Sequence, residues 1–297
     1  PWLIGGAADL SPSTMTMVNY EGAGSFEPGT YTGRNFHFGI REHGMASALN
    51  GMALSMLRPY GATFFVFTDY FRPSLRLSAI MKLPVLYVLT HDSIGVGEDG
   101  PTHEPIEHLA ALRAIPQLIT LRPGDANEVA EAYRTLLKRT DRPVALILSR
   151  QNLPTLDRSK YAAAAGVAQG AYVLADADGG QPRVLLIGTG SELSLCVEAY
   201  ERLKQEGIAA RVVSMPSWEL FEAQDQAYRD SVLPPTVTAR VAVEAGCPQG
   251  WDKYIGPQGK FVGMHSYGAS APGPALYKFF GITTDAVVAN AKAALGG

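Results

Sequence analysis

Pro84-Val-Leu-Tyr-Val-Leu-Thr90 runs straight into His91-Asp-Ser-Ile-Gly-Val-Gly-Glu-Asp-Gly-Pro-Thr-His-Glu-Pro105, and the rest of the chain is arranged about this junction. The first half is a continuous apolar run with β-branched residues, the pattern of a strand buried on both faces of a parallel sheet. The second half is then a loop at the carboxyl end of that strand, where open α/β sheets bind their ligands. Gly95, Gly97 and Gly100 permit close backbone approach, and Pro101 and Pro105 stiffen the exit. A lone His or Asp in such a place is an ordinary surface residue. Here His91, Asp92, Glu98, Asp99 and His103 share one glycine-rich loop, a density that marks a functional loop on a rigid scaffold.

Upstream, Trp2-Leu-Ile-Gly-Gly6 predicts a short strand, followed by the turn-rich Ala7-Ala-Asp-Leu-Ser-Pro-Ser13. Thr14 to Gly33 has loop composition. Asn35 to Gly39 predicts a second strand, and Arg41 to Leu57 a helix with Glu42 in its first turn, where a carboxylate also complements the helix dipole. Pro59-Tyr-Gly61 is expected to stop that helix. Ala62 to Phe67 predicts a third strand, and Tyr70 to Met81 a short helix with Pro73 in its first turn. Phe64, Phe65, Phe67, Tyr70 and Phe71 form an aromatic cluster, which packing explains more often than a ring-binding pocket does.

Downstream, the sequence predicts a helix over 106–114, a strand over 118–121 and an amphipathic helix over 125–138 with Asp125 near its N-cap. A buried strand over 144–149 delivers Arg150, Gln151 and Asn152 to the same edge as the central loop. The planar fork of Arg150 beside a polar crevice suits a phosphate. A linker is expected over 153–168. Then come a strand from Arg183 into Gly188-Thr-Gly-Ser191, a helix over 193–206, strands over 210–215, 239–244 and 261–264, and a terminal helix capped by Thr284 or Asp285. The Gly188-Thr-Gly190 turn lacks the third glycine of the dinucleotide fingerprint and reads as a turn with Ser191 as cap. Both halves alternate strand and helix, so the expected fold is α/β with two doubly wound domains side by side.

The 297 residues exceed the usual size of one core, and 46% are hydrophobic. A net charge of −3 leaves no electrostatic footprint for nucleic acid or for an anionic membrane. Cys196 and Cys247 make no disulfide framework, and no Cys/His spacing fits a structural zinc site, so a reducing cytoplasm is the expectation. No apolar stretch approaches the ~20 residues of a membrane helix. The chain starts at Pro1 rather than Met and enters a strand almost at once, from which we expect a piece of a longer chain or a processed product.

Gly39-Ile-Arg-Glu-His-Gly44, the loop His91 to Pro105 and Leu148-Ser-Arg-Gln-Asn-Leu153, in this order, resemble the middle and C-terminal domains of transketolase. Gly5-Gly-Ala-Ala-Asp-Leu10 and Arg211-Val-Val-Ser-Met-Pro216 extend the resemblance over essentially the whole chain. It implies a pyrimidine-binding domain over 1–160 and a transketolase C-terminal domain over 168–297. It also implies thiamine-diphosphate-dependent transfer of a two-carbon ketol unit from a ketose phosphate to an aldose phosphate. In the family pattern Glu42 hydrogen-bonds the aminopyrimidine N1′, favouring the imino tautomer so that the cofactor's own nitrogen can take the C2 proton. The cofactor carries the carbanion chemistry, and the protein supplies orientation and electrostatics.

The positions matching the aromatic pocket are Phe64, Phe67 and Tyr70, and Asp9 matches a carboxylate near the cofactor. Ser13, His91 and Arg150 match residues contacting the sugar phosphate. Asp99 matches the reader of a substrate hydroxyl, and His103 a histidine beside the reacting carbons, suited to a proton shuttle. Mg²⁺ ligands are expected in a diphosphate-binding domain whose Gly-Asp-Gly motif this sequence lacks, so the expected partners are that domain or subunit and a second copy of the chain. Competing expectations are a non-catalytic assembly or regulatory homologue and a 2-oxoacid dehydrogenase β-type subunit.

Overall fold

The computed structural model describes residues 3–296. Trp2, placed by the sequence at the start of the first strand, lies outside them. The first sheet has strands β1 (Leu3–Ala7), β2 (Asn35–His37), β3 (Arg58–Phe64), β4 (Leu86–Thr90), β5 (Ile119–Leu121) and β6 (Val144–Ile147). Their order is β2-β1-β3-β4-β6-β5, and every pairing is parallel. All carboxyl ends therefore face one edge. The central strand β4 is buried throughout, as its unbroken apolar run requires.

Several element boundaries differ from the sequence reading. The strand expected over 62–67 is β3, which begins at Arg58 and ends at Phe64, with a 3₁₀ turn over Phe65–Phe67. Pro59-Tyr-Gly61 thus lies inside a strand held between β1 and β4. Gly61 is there because the preceding helix, Glu42–Leu54, rests on it: a Cβ would lie 2.4 Å from Leu49 Cδ1. The next helix is Thr68–Ile80, so Pro73 sits beyond its first turn, on the exposed side. The helix expected over 106–114 is shortened to His108–Arg113. Asp125 caps the helix Ala126–Lys138, accepting from the Glu128 N–H at 2.8 Å.

The second sheet comprises β7 (Tyr172–Ala175), β8 (Val184–Gly188), β9 (Ala210–Ser214), β10 (Arg240–Glu244) and β11 (Lys260–Gly263), in the order β11-β10-β8-β9-β7. Strand β7 is an antiparallel edge that the sequence reading missed. The short helices Trp218–Glu222, Gln226–Val232, Asp252–Ile255 and Gly273–Phe279 were missed too. Ser191 does not cap the helix Leu193–Gln205; its hydroxyl donates to Glu192. Thr283, not Thr284 or Asp285, caps the last helix, Thr284–Ala294.

The segment expected as a linker is tied down. Leu156 N–H and the Arg158 guanidinium both donate to the Asp125 carboxylate, at 3.0 and 2.8 Å. One apolar core continues through both halves, from Leu86 and Val144 to Val184, Val212 and Val241.

Candidate active site

Asp9 follows β1, Glu42 opens the helix after β2, Phe64 closes β3, and His103 lies on the loop after β4. Because the strands are parallel, these residues meet at one edge. With Phe67 and Tyr70 they line an open cavity of ≈ 480 Å³, whose lining Ala8, Leu10 and Ile40 complete. The Phe64 and Phe67 rings stack with centroids 6.0 Å apart and planes 9° from parallel. Tyr70 is tilted against Phe67 at 5.9 Å, and His103 meets Phe67 edge-on at 5.6 Å. Glu42 is 7% exposed, so the cavity pairs a flat aromatic wall with a single sheltered carboxylate. Ile40, 79% exposed, belongs to this lining and escaped the sequence reading, because a lone apolar residue between a strand and a helix carries no signal.

His91 stands beside the cavity rather than in its lining. Its backbone is left-handed (φ +62), and its ring stacks on Phe64 at 3.7 Å. Thr90 Oγ1 lies 2.9 Å from its Nδ1, a contact that fixes ring orientation and was not anticipated. Burial and then the Arg150 cation hold the imidazole down to about 4, against the opposing pull of Asp99. His91 is therefore a neutral hydrogen-bonding group at pH 7. Asp99 and Arg150 are exposed. Ser13, exposed in the turn Ser11–Thr14, is not brought into the lining of the cavity.

Immediately after His103, Glu104 is 2% exposed, and neither carboxylate oxygen has a hydrogen-bond partner among the described residues. It is wedged against Gly268, where a Cβ would lie 1.7 Å from Oε2. Burial pushes its carboxyl up to about 7. A raised acid favours the folded state fully below the unfolded value of 4.5, and that stability is lost as pH rises through about 7. Glu104→Gln is accordingly expected to melt alongside the parent at pH 4 and above it at pH 8. An equal offset at both pH values in thermal unfolding would exclude this.

Asp69, Glu107 and His108 place one potential ligand atom each within 4.8 Å of one another. The His108 Nε2 lies 3.3 Å from Asp69 Oδ1, and its ring meets Phe65 edge-on at 5.7 Å. No helix among the described residues is long and apolar enough to cross a membrane.

Comparison with known proteins places this geometry among relatives. The family described as transketolase, pyrimidine binding domain, matches residues 1–155, and the transketolase-like TK C-terminal domain matches 170–283. The chain is 55% identical over 297 residues to the transketolase of Geobacillus stearothermophilus, a match covering 100% of this chain and 44% of that protein. It is 52% identical over 295 residues to a chloroplastic transketolase of Craterostigma plantagineum, covering 98% and 56% respectively. The structure of transketolase from Leishmania mexicana superposes with a TM-score of 0.94 at 43% identity, over 100% of this chain and 43% of that one. A split-gene transketolase, described as an inactive β4 tetramer, shares the fold at a TM-score of 0.76 and 24% identity, covering 100% of this chain and 93% of that one. This chain thus spans less than half the length of the Geobacillus protein.

Proposed function

This chain belongs to the transketolase family, and from that premise we propose that it forms the pyrimidine-binding (1–160) and C-terminal (168–297) parts of a thiamine-diphosphate-dependent enzyme. The reaction is transfer of a two-carbon ketol unit from a ketose phosphate to an aldose phosphate, of the pentose phosphate or Calvin cycle type. The observation that carries this reading is the buried Glu42 carboxylate facing an aromatic-walled cavity of ≈ 480 Å³ beside His103.

A flat heteroaromatic ring suits that wall, where Phe64, Phe67 and Tyr70 seat it and Asp9 stands near its rim. Thiamine diphosphate, when bound, supplies the nucleophilic carbon and the electron sink. Glu42 holds a proton at the pyrimidine N1′. His103 stands where a substrate proton must be passed or oriented. His91, neutral at pH 7, donates or accepts at a substrate oxygen, Asp99 reads a hydroxyl, and Arg150 takes the phosphate bidentately, with Ser13 as a further contact to the sugar phosphate.

The diphosphate and its Mg²⁺ are assigned to the diphosphate-binding part, which is absent from this sequence. A homodimer is supported by Leu54, Met56, Leu57, Leu77, Ile80 and Met81, all exposed where the two helices after β2 and β3 end. The free thiols Cys196 and Cys247 accord with the cytoplasm.

The test is reconstitution. The purified 297-residue chain with thiamine diphosphate and Mg²⁺ is expected to show no ketol transfer. Adding the diphosphate-binding part is expected to bring turnover into the usual enzymatic range, roughly 1–10³ s⁻¹. Robust turnover by the chain alone overturns the divided site. Decarboxylation of a 2-oxoacid with no use of sugar phosphates overturns the reaction.

A further inference from the structure

In the second sheet, the connection from β8 leads to β9 on one side, while β10 lies on the other. The crevice outside the carboxyl ends of β8 and β10 is therefore the topological switch point, the place where doubly wound sheets take ligands. Here that crevice is filled by guanidinium groups from the first half of the chain. Arg122, its side chain 1% exposed, donates from Nη1 to Glu192 Oε2 at 2.6 Å and to the Thr189 carbonyl at 2.8 Å. Arg113 makes a two-pronged pair with Glu244 at 2.9 and 2.7 Å. Gly190, at φ +57, leaves room for this insertion: a Cβ would lie 2.4 Å from Arg122 Cζ. The backbone of Arg122 is anchored as well, its N–H to the Pro216 carbonyl at 2.9 Å and its carbonyl to the Gly190 N–H at 3.0 Å.

The other edge of the same guanidinium grips Asp92, through Nε at 2.9 Å and Nη2 at 2.8 Å. Asp92 is the residue after His91, whose left-handed backbone needs restraint from its surroundings. More of the loop leans on the second half. Tyr277 donates its hydroxyl to Glu192 Oε1 at 2.7 Å and lies 3.2 Å from Ser93 Oγ. The Ser270 hydroxyl donates to the Glu98 carbonyl at 2.6 Å.

We infer that Arg122 is a positioning residue: braced by Glu192 in the ligand crevice of the second sheet, it holds Asp92 and so sets the backbone and imidazole of His91. The second domain then acts on the sugar-phosphate side of the site without touching substrate, and its own crevice is a socket for the first domain. The role in catalysis rests on the proposed function, in which His91 meets substrate; the mechanical coupling does not.

Two variants and two readouts test it. Asp92→Asn weakens the grip of Arg122 on the loop while leaving the Arg122–Glu192 pair intact. Arg122→Lys keeps the charge but lacks the planar fork that grips Asp92 and Glu192 together, so it decides alone if Asp92→Asn fails to fold. In the chain by itself, NMR titration of the His91 imidazole, which faces Arg150, Asp99 and His103, is expected to move up from about 4 toward the ordinary histidine value as the ring loses its buried seat. In the enzyme assembled with the diphosphate-binding part, KM for the ketose phosphate is expected to rise about tenfold while the thiamine diphosphate affinity stays within about twofold. An unmoved His91 titration in the folded variants overturns the coupling. A loss of cofactor and sugar-phosphate affinity in equal proportion overturns the positioning role. Absence of ketol transfer in the assembled parent removes the proposed function and leaves the titration to judge Arg122.

Discussion

Glu42→Gln is expected to lower kcat of the assembled enzyme by roughly 10²–10⁴, the range that a positioned proton-transfer group contributes. Glutamine has the same length and keeps the shape of the first helical turn, but it cannot hold the proton that the pyrimidine nitrogen requires. Glu42 is 7% exposed at the start of the helix Glu42–Leu54 and lines the cavity, where no described side chain pairs with its carboxylate, so its removal leaves no protein partner stranded. The helix dipole loses about 0.3–1 kcal/mol of favourable interaction, too little to unfold the chain. Cofactor affinity, resting on the aromatic wall and on the diphosphate-binding part, should change far less than kcat. Single-turnover and binding measurements separate these effects, and an unchanged kcat would remove Glu42 from the chemistry.

The largest stability effect is expected at Arg113→Ala, with a loss of ~3–5 kcal/mol, the usual consequence of stripping one partner from a buried ion pair. Glu244 is 1% exposed and takes both prongs of Arg113, with the Trp251 Nε1–H at 2.9 Å as its other donor. Arg113 also lies 3.9 Å over the Trp218 ring, so its truncation opens a gap against an indole. The double variant Arg113→Met with Glu244→Gln retains an acceptor for Trp251 and fills much of the volume, and it should recover most of the loss. Urea unfolding of the three proteins decides: a single variant within about 1 kcal/mol of the parent would show that the pair contributes little.

The sheet edge that carries the site was legible before any coordinates. The apolar run into His91 can be satisfied only by a strand buried on both faces, and the glycines after it leave few alternatives to a loop over the strand ends. Glu42 at a helix start and the Phe64, Phe67 and Tyr70 grouping were equally local, and these residues do line one cavity. Arg58-Pro-Tyr-Gly61 misled because proline and glycine usually punctuate; pairing with β1 and β4 and the close seat of Leu49 override that tendency. Strand β7 is four residues long and follows an alanine-rich segment, so its pattern is too short to separate from coil. The arginine clamps were out of reach altogether. Arg122 meets a carboxylate 70 residues away and Arg113 one 131 away, and nothing near either residue advertises a partner.

The anchoring of Leu156 and Arg158 on Asp125 bears on how this polypeptide can be dissected. A cut between Ile147 and Leu156 parts Asp125 from its cation, Arg158, and any cut between the two sheets parts Glu192 and Glu244 from Arg122 and Arg113. The first piece would carry the unpaired Arg113 guanidinium and an Arg122 stripped of one partner, and the second the unpaired carboxylates of Glu192 and Glu244, on surfaces shaped to be covered. Expression boundaries that respect this seam therefore keep Arg113 and Arg122 on one polypeptide with Glu192 and Glu244.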